Sequence, residues 1–246
     1  MTDKTNLPRT GSTGVPPAAR SPDAAIDAFV QSAKTLGPAA TAEGRARLVF
    51  ALDATMSRQP TWDLACRVQG EMFKTTAAVG GLAVQLVYFR GFDECRASRW
   101  VIAPAALTGL MTQIDCRGGH TQIARVLRHV RGETQSAAVK ALVYVGDAME
   151  EPIDELCALA GELGLIGVKT FMFHEGHDPV AGQAFQEIAR LTGGAYARFD
   201  ANAPHSLAGL LRAVAAYATG GMKSLNRLAS REGEARRLLS SFGPRK

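Results

Sequence analysis

The chain alternates short apolar runs with longer segments whose apolar residues recur at helical spacing. Runs of about four to eight mainly apolar residues bounded by turn residues are typical of buried strands. The pattern predicts strands at 48–52, 82–89, 139–145, 168–173 and 195–199, with a further short edge strand at 99–102. Helical spacing between them predicts helices at 61–78, 105–114, 121–130, 152–163, 180–191 and 207–218.

Strands that alternate with helices of about ten residues or more pair in parallel, because a helical crossover returns the chain to the same end of the sheet. Both faces of such a sheet are covered by helices. The predicted fold class is therefore α/β, with a doubly wound, mostly parallel central sheet and one antiparallel edge strand.

This domain is expected to span residues 45–220. Residues 1–21 are rich in proline, glycine, serine and threonine and are predicted to be disordered. Residues 22–44 are predicted to form a helix and a linker. Residues 221–246 are predicted to form a basic amphipathic helix or tail, which folds against the domain, docks on a partner or touches an anionic surface.

The net charge of +5 arises from this C-terminal segment, which holds seven basic and two acidic residues from Lys223 to Lys246. No recognised nucleic-acid-binding motif accompanies these basic residues, so no nucleic-acid partner is expected. No segment approaches the roughly 18 consecutive apolar residues of a membrane helix, and the N-terminus lacks a secretory pattern. Four widely spaced cysteines without a Cys-x-x-Cys pair fit a reducing compartment. A cytoplasmic location is therefore expected, and the oligomeric state stays open.

Oxygen-bearing side chains follow the predicted strand 48–52 at every second position: Asp53, Thr55 and Ser57. Alternate side chains of an extended segment point to one side, so these three can face one ion. Thr121 follows a glycine pair, and Asp147 follows the strand 139–145. In open α/β sheets, ligands bind beyond the carboxyl ends of the strands, where all five residues are expected. An oxygen set without cysteine or histidine suits Mg²⁺, with Mn²⁺ or Ca²⁺ as alternatives.

These segments resemble the metal-ion-dependent adhesion site of the von Willebrand factor A (VWA) domain family. Asp53-Ala-Thr55-Met-Ser57 is similar to the family's Asp-x-Ser-x-Ser motif, with threonine in place of the first serine. The 118–123 segment, Gly-Gly-His-Thr-Gln-Ile, is similar to the family's Gly-Gly-Thr loop with His120 inserted. Asp147 stands in Gly-Asp-Ala, where the family usually has Thr-Asp-Gly. The resemblance covers about residues 45–220 and implies a Rossmann-like VWA fold.

The resemblance also implies how each of the five residues would bind the ion. Ser57 and either Thr55 or Thr121 would ligate the ion directly, and Asp53 and Asp147 would do so directly or through water. One coordination position would be left open for an aspartate or glutamate of a protein partner. The implied function is a metal-dependent protein-interaction module without catalytic residues.

Three alternatives compete with this interpretation. The first is that Asp53, Thr55 and Asp147 only cap helices. The second is a metal-dependent phosphohydrolase that uses Asp53 as nucleophile, although Thr55 stands where such enzymes place a second aspartate as general acid. The third is an ion that only stabilises the fold. The segment 174–178, which holds two histidines and two acids, is interpreted as a polar loop leading into a helix.

Overall fold

The six-stranded sheet of the protein is seen in a computed structural model, which describes residues 44–62, 82–200 and 204–242. The predicted N-terminal tail, the predicted 22–44 segment apart from Gly44 and nearly all of the predicted helix 61–78 lie outside these residues. The strands are β1 (Ala46–Asp53), β2 (Leu82–Arg90), β3 (Glu94–Ala97), β4 (Val139–Gly146), β5 (Lys169–Glu175) and β6 (Ala195–Phe199).

The strand order is β3-β2-β1-β4-β5-β6, and every pair is parallel except the β2–β3 pair. The five parallel strands therefore end at one edge of the sheet, called the carboxyl edge below, and begin at the opposite amino edge. This arrangement confirms the predicted doubly wound α/β fold with one antiparallel edge strand.

The position predicted for that edge strand was wrong. The edge strand is β3, and within 99–102 only Val101 makes a bridge, to Val84 of β2. The apolar residues of 99–102 suggested a strand, whereas β3 has the sequence Glu-Cys-Arg-Ala and is only partly buried. An edge strand pairs on one side and needs no apolar run, so the hydrophobic pattern did not reveal it.

The helices within the described ranges are α1 (Pro104–Met111), α2 (Ile123–Ser136), α3 (Ile153–Leu165), α4 (Pro179–Leu191), α5 (Pro204–Ala229) and α6 (Gly233–Ser240). A short 3-10 helix at Met56–Thr61 follows β1. The element α5 extends beyond the predicted 207–218 and consists of two helical segments joined at Gly221, whose φ of 63° and ψ of −160° are not helical. Glycine adopts this left-handed region without the steric penalty of a Cβ atom.

Side chains alternate between two core layers along each strand. On β1, Leu48, Phe50 and Leu52 pack with α1, α5 and α6, whereas Val49 and Ala51 pack with α2, α3 and α4. The C-terminal segment belongs to the first layer, since Leu225, Ala235 and Leu238 are buried there. Of the three arrangements considered for this segment, the structure shows packing against the chain's own sheet.

No helix in the described ranges combines the length and the apolar character that a membrane span requires.

Candidate metal centre

The turn after β1 joins three of the five predicted ligands by hydrogen bonds. The Thr55 backbone N–H and the Thr55 hydroxyl both donate to Asp53 Oδ1, at 2.8 and 2.6 Å. The Thr55 and Ser57 hydroxyl oxygens lie 3.1 Å apart. Asp53 is fully buried, whereas Ser57 is exposed. The turn therefore runs from a buried carboxylate to a hydroxyl that reaches solvent.

Asp147 lies at the end of the neighbouring strand. β1 and β4 are adjacent and parallel, with Leu52 opposite Val145, so Asp53, the residue after Leu52, and Asp147, which follows Gly146, lie near each other at the carboxyl edge. Within the described ranges, Asp53 Oδ2 and Asp147 Oδ1 are buried oxygens without a hydrogen-bond donor. Two buried acceptors without donors suit a cation, because a carboxylate oxygen can only be satisfied by a proton, a donor or a positive ion.

The pKa of Asp53 is consistent with a cation beside its carboxylate. Burial raises the pKa of Asp53 from 3.8 to about 6, and the hydrogen bonds from Thr55 and the charge of Arg58 oppose this increase. The negative charge of Asp147 raises the Asp53 pKa further. The two carboxylates therefore repel each other in a buried environment, and a divalent cation at this position would relieve that repulsion.

Thr121 is connected to the segment that follows Asp147. Its hydroxyl oxygen accepts a hydrogen bond from the Glu150 backbone N–H at 3.0 Å, and its own N–H donates to Glu150 Oε2 at 2.9 Å. These reciprocal bonds hold the loop before α2 against the loop after β4. The Thr121 hydroxyl retains a second lone pair. All five predicted residues thus lie at the carboxyl edge, in loops that contact one another.

The five residues fit a hard divalent ion by the chemistry of their donors. Two carboxylates and three hydroxyls are an all-oxygen set of the kind that Mg²⁺ accepts together with water. No cluster of three or more His, Cys, Asp or Glu side chains suited to a metal occurs among the described residues. The fit to Mg²⁺ rests on the two carboxylates and the hydroxyls together.

Arg58 is a residue of this edge that the sequence analysis missed. Its side chain is buried, and Nη1 donates to the carbonyls of Asp53 at 3.4 Å and Val145 at 3.1 Å. Its Nη2 atom lies 2.8 Å from Oε2 of Glu175, at the end of β5. One guanidinium group therefore links the ends of β1, β4 and β5. Nothing in the sequence shows that an arginine next to an exposed serine points inward.

Glu151 is another missed residue of the edge. It lies before α3, which begins at Ile153, and so is not part of that helix's first turn. The Glu151 carboxylate instead accepts hydrogen bonds from the backbone N–H groups of Ile123 and Ala124, at the start of α2. It thus satisfies the N-terminus of a helix that is distant in sequence, and sequence periodicity carries no signal for such a contact.

The predicted polar loop at 174–178 divides into two parts. His174 and Glu175 are buried residues of β5, so the strand ends later than expected. His174 Nδ1 lies 3.0 Å from the Tyr196 hydroxyl. Asp178 has the role expected for a helix start, since its Oδ1 accepts from the N–H groups of Val180 and Ala181 at the beginning of α4.

Helix capping does not account for the predicted ligands. Thr55 precedes the 3-10 helix but makes no side-chain capping hydrogen bond to it. The residue that precedes α3 is Pro152, not Asp147. No described residue other than glycine has a positive φ, so Ala148 fits the turn without strain in place of the family's usual glycine.

Solved structures with the same architecture identify the fold. The crystal structure of the SpRpn10 VWA domain matches with a TM-score of 0.55 and 11% identity, covering 66% of this chain and 95% of that one. The vWF domain of the pilus tip protein Mfa5 from Porphyromonas gingivalis matches with a TM-score of 0.54 and 11% identity, covering 70% and 94%. An aerotolerance-related membrane protein from Bacteroides fragilis matches at 0.52 and 16% identity, covering 65% and 96%.

The chain folds as a VWA-like domain. No family model matches its sequence, and no curated protein matches it. The VWA-like fold is therefore established by structure, and what this domain binds must be argued from its own residues.

Proposed function

We propose that this VWA-like domain is a protein-interaction module that binds a divalent cation, Mg²⁺ in the first instance, at the carboxyl edge of its sheet. The observation that carries the proposal is the pair of buried oxygens without donors, Asp53 Oδ2 and Asp147 Oδ1, at the ends of two adjacent strands. Thr55, Ser57 and Thr121 supply neutral hydroxyl oxygens around this pair.

The bound ion would supply a Lewis-acidic position for a carboxylate of the partner. The protein residues set how strongly that position attracts an outside acid. Asp53 is the only one of the first three ligands that carries a charge, and one of its oxygens is already engaged by Thr55. The remaining donors of these three are neutral hydroxyls, which leave the ion able to accept a further negative ligand. Ser57, the exposed member, marks the side from which that ligand arrives.

A phosphohydrolase is a weaker candidate on the same geometry. Asp53 is fully buried, and its Oδ1 atom is held by two hydrogen bonds from Thr55, which is not an acid. A nucleophilic carboxylate needs an accessible oxygen, and its reaction needs an acid nearby. We therefore propose a binding role and no catalytic role for Asp53.

Isothermal titration calorimetry with Mg²⁺ and with Mn²⁺ tests the metal site. We expect one ion per chain, with affinity at least tenfold lower in Asp53→Asn and in Asp147→Asn. Asp154→Asn is the matched control, because Asp154 is an exposed carboxylate in the first turn of α3. The proposal fails if the wild-type protein binds neither ion, or if the control loses as much affinity as the two site variants.

A further inference from the structure

Two exposed apolar side chains flank the proposed ligands. Met56 lies between Thr55 and Ser57 and is 53% exposed, and Phe92, in the loop after β2, is 52% exposed. The Phe92 ring packs on the ring of His120, with 5.0 Å between centroids, and His120 immediately precedes Thr121. Apolar surface therefore adjoins the ligand-bearing loops from two different strands.

The backbone immediately before Phe92 is fixed by contacts with the loop that carries Thr121. A Cβ atom on Gly119 would lie 2.0 Å from the Gly91 carbonyl oxygen, so the two loops meet at a distance that only glycine permits. The Gly91 carbonyl accepts from the His120 N–H and from Gln122 Nε2, both at 3.2 Å. The Phe92 loop and the Thr121 loop thus form one unit.

The residue after Phe92 is held as well. Arg125 of α2 donates to the Asp93 carbonyl at 2.7 Å and pairs with the Asp93 carboxylate at 2.9 Å. With both flanking residues fixed, Phe92 is presented to solvent on a rigid support. A rigid exposed aromatic side chain loses little conformational entropy when a partner covers it, and such side chains dominate the energetics of protein interfaces.

His120 has a defined place in this arrangement. It is the residue inserted into the Gly-Gly-Thr pattern, and its Nδ1 atom lies 3.3 Å from Glu150 Oε2 while its ring supports Phe92. The insertion thus attaches an aromatic pair to the loop that carries a proposed ligand.

From these contacts we infer that Met56 and the Phe92–His120 pair, called the apolar shoulder below, contact the partner beside the coordinated acid. The inference rests on the proposed function and deepens it. The partner it specifies is a protein segment whose aspartate or glutamate is flanked by aliphatic or aromatic residues. A carboxylate alone fits the ion, but only apolar neighbours can cover the exposed side chains of the apolar shoulder.

The test uses the full-length chain and a displayed peptide library with a central glutamate and randomised flanking positions, selected with Mg²⁺ or with EDTA. We expect the Mg²⁺-dependent peptides to carry Leu, Ile, Met or Phe within two positions of the glutamate. For the best synthetic peptide, Phe92→Ser and Met56→Ser should each raise the Kd about tenfold. Phe92→Leu should restore most of the affinity.

Leu165→Ser is the matched control, because Leu165 is 90% exposed at the C-terminus of α3, remote from the carboxyl edge, and should leave the Kd unchanged. The Mg²⁺ affinity of Phe92→Ser, measured by calorimetry without peptide, should also equal that of the wild type. This second measurement separates loss of the apolar shoulder from damage to the ion site.

The possible results separate contact with the apolar shoulder from the proposed ion-dependent binding. Polar flanking residues, Kd changes below twofold in both serine variants, or no enriched peptide would overturn the inference while leaving the ion site intact. Peptides whose binding depends on Phe92 but is equally strong in EDTA would support contact with the apolar shoulder and would overturn the proposed function instead.

Discussion

The buried polar groups at the two edges of the sheet differ in charge. At the amino edge, the Thr192 hydroxyl accepts from the Thr170 N–H at 3.1 Å and donates to carbonyls at the end of α4. At the carboxyl edge, Asp53 and Arg58 are buried charges, and Asp53 Oδ2 has no donor within the described ranges. The amino edge uses neutral groups to close the structure, whereas the carboxyl edge retains charge that stability alone does not require.

This difference supports the proposal that the domain binds its partner at the carboxyl edge. Buried charge costs stability unless it is paired, and a buried acceptor without a donor adds to that cost. Among the described residues, the buried charged side chains Asp53, Arg58 and Glu175 lie at the carboxyl edge, which is where we propose that the domain binds its ligand. Substitutions at both edges test this difference.

Arg58→Met should have the largest effect on stability. The substitution leaves the Glu175 carboxylate without the guanidinium that lies 2.8 Å away, and we expect the free energy of unfolding in urea to fall by about 3–5 kcal/mol. Arg58→Met combined with Glu175→Gln should regain part of the loss, because no buried charge is then left unpaired. A loss below about 1 kcal/mol in the single variant would show that the pair is not buried in solution.

Asp53→Asn should stabilise the metal-free protein at pH 7. Burial raises the pKa of Asp53 to about 6, so between about pH 4 and pH 6 the folded protein retains a proton that the unfolded chain has released. The free energy of unfolding of the wild type therefore falls as the pH rises through this window. A shift from 3.8 to about 6 corresponds to a loss of about 3 kcal/mol.

This difference between Asp53→Asn and the wild type should disappear near pH 4, where the Asp53 carboxyl is protonated in the folded state. Urea denaturation in EDTA from pH 4 to pH 7 measures it. Parallel stability profiles for the two proteins would contradict the electrostatic description of the carboxyl edge.

Thr192→Val tests the amino edge. The Thr170 N–H loses its acceptor, and we expect the free energy of unfolding to fall by about 1–2 kcal/mol, since a buried donor is left unsatisfied. The loss should be the same at pH 4 and pH 7 and with or without Mg²⁺. A Mg²⁺-dependent loss would mean that the two edges are not independent.

Glu151→Ala compares two caps within the carboxyl edge. It removes the acceptor for the first N–H groups of α2, and Asp178→Ala does the same for α4. Each should cost about 1 kcal/mol in thermal or urea unfolding. Only Glu151→Ala should also weaken Mg²⁺ binding, because α2 begins two residues after Thr121. Equal Mg²⁺ affinities in the two variants would show that the Thr121 loop does not contribute to the ion site.

The sequence pattern located the sheet and the positions of the proposed ligands, because both follow from strands that end in a polar residue. Leu48–Leu52 and Val139–Val145 are apolar runs that lead directly to Asp53 and Asp147. The carboxyl ends of adjacent parallel strands meet at one edge, so their proximity could be inferred without coordinates.

The residues that support this edge could not be predicted in the same way. Arg58 and Glu175 are distant in sequence, and their pairing depends on which strands are neighbours. Glu151 binds the start of a helix that precedes it in the chain. β3 was misplaced for a related reason, since its position is set by pairing with β2 and not by its own apolar residues.

An anomalous difference map from a crystal of the protein soaked in Mn²⁺ tests the proposed ion site directly. We expect one peak within coordination distance of the Ser57 hydroxyl and between Asp53 and Asp147, and no peak there in an Asp147→Asn crystal. A map without density at the carboxyl edge, or a single peak elsewhere on the surface, would contradict the proposal.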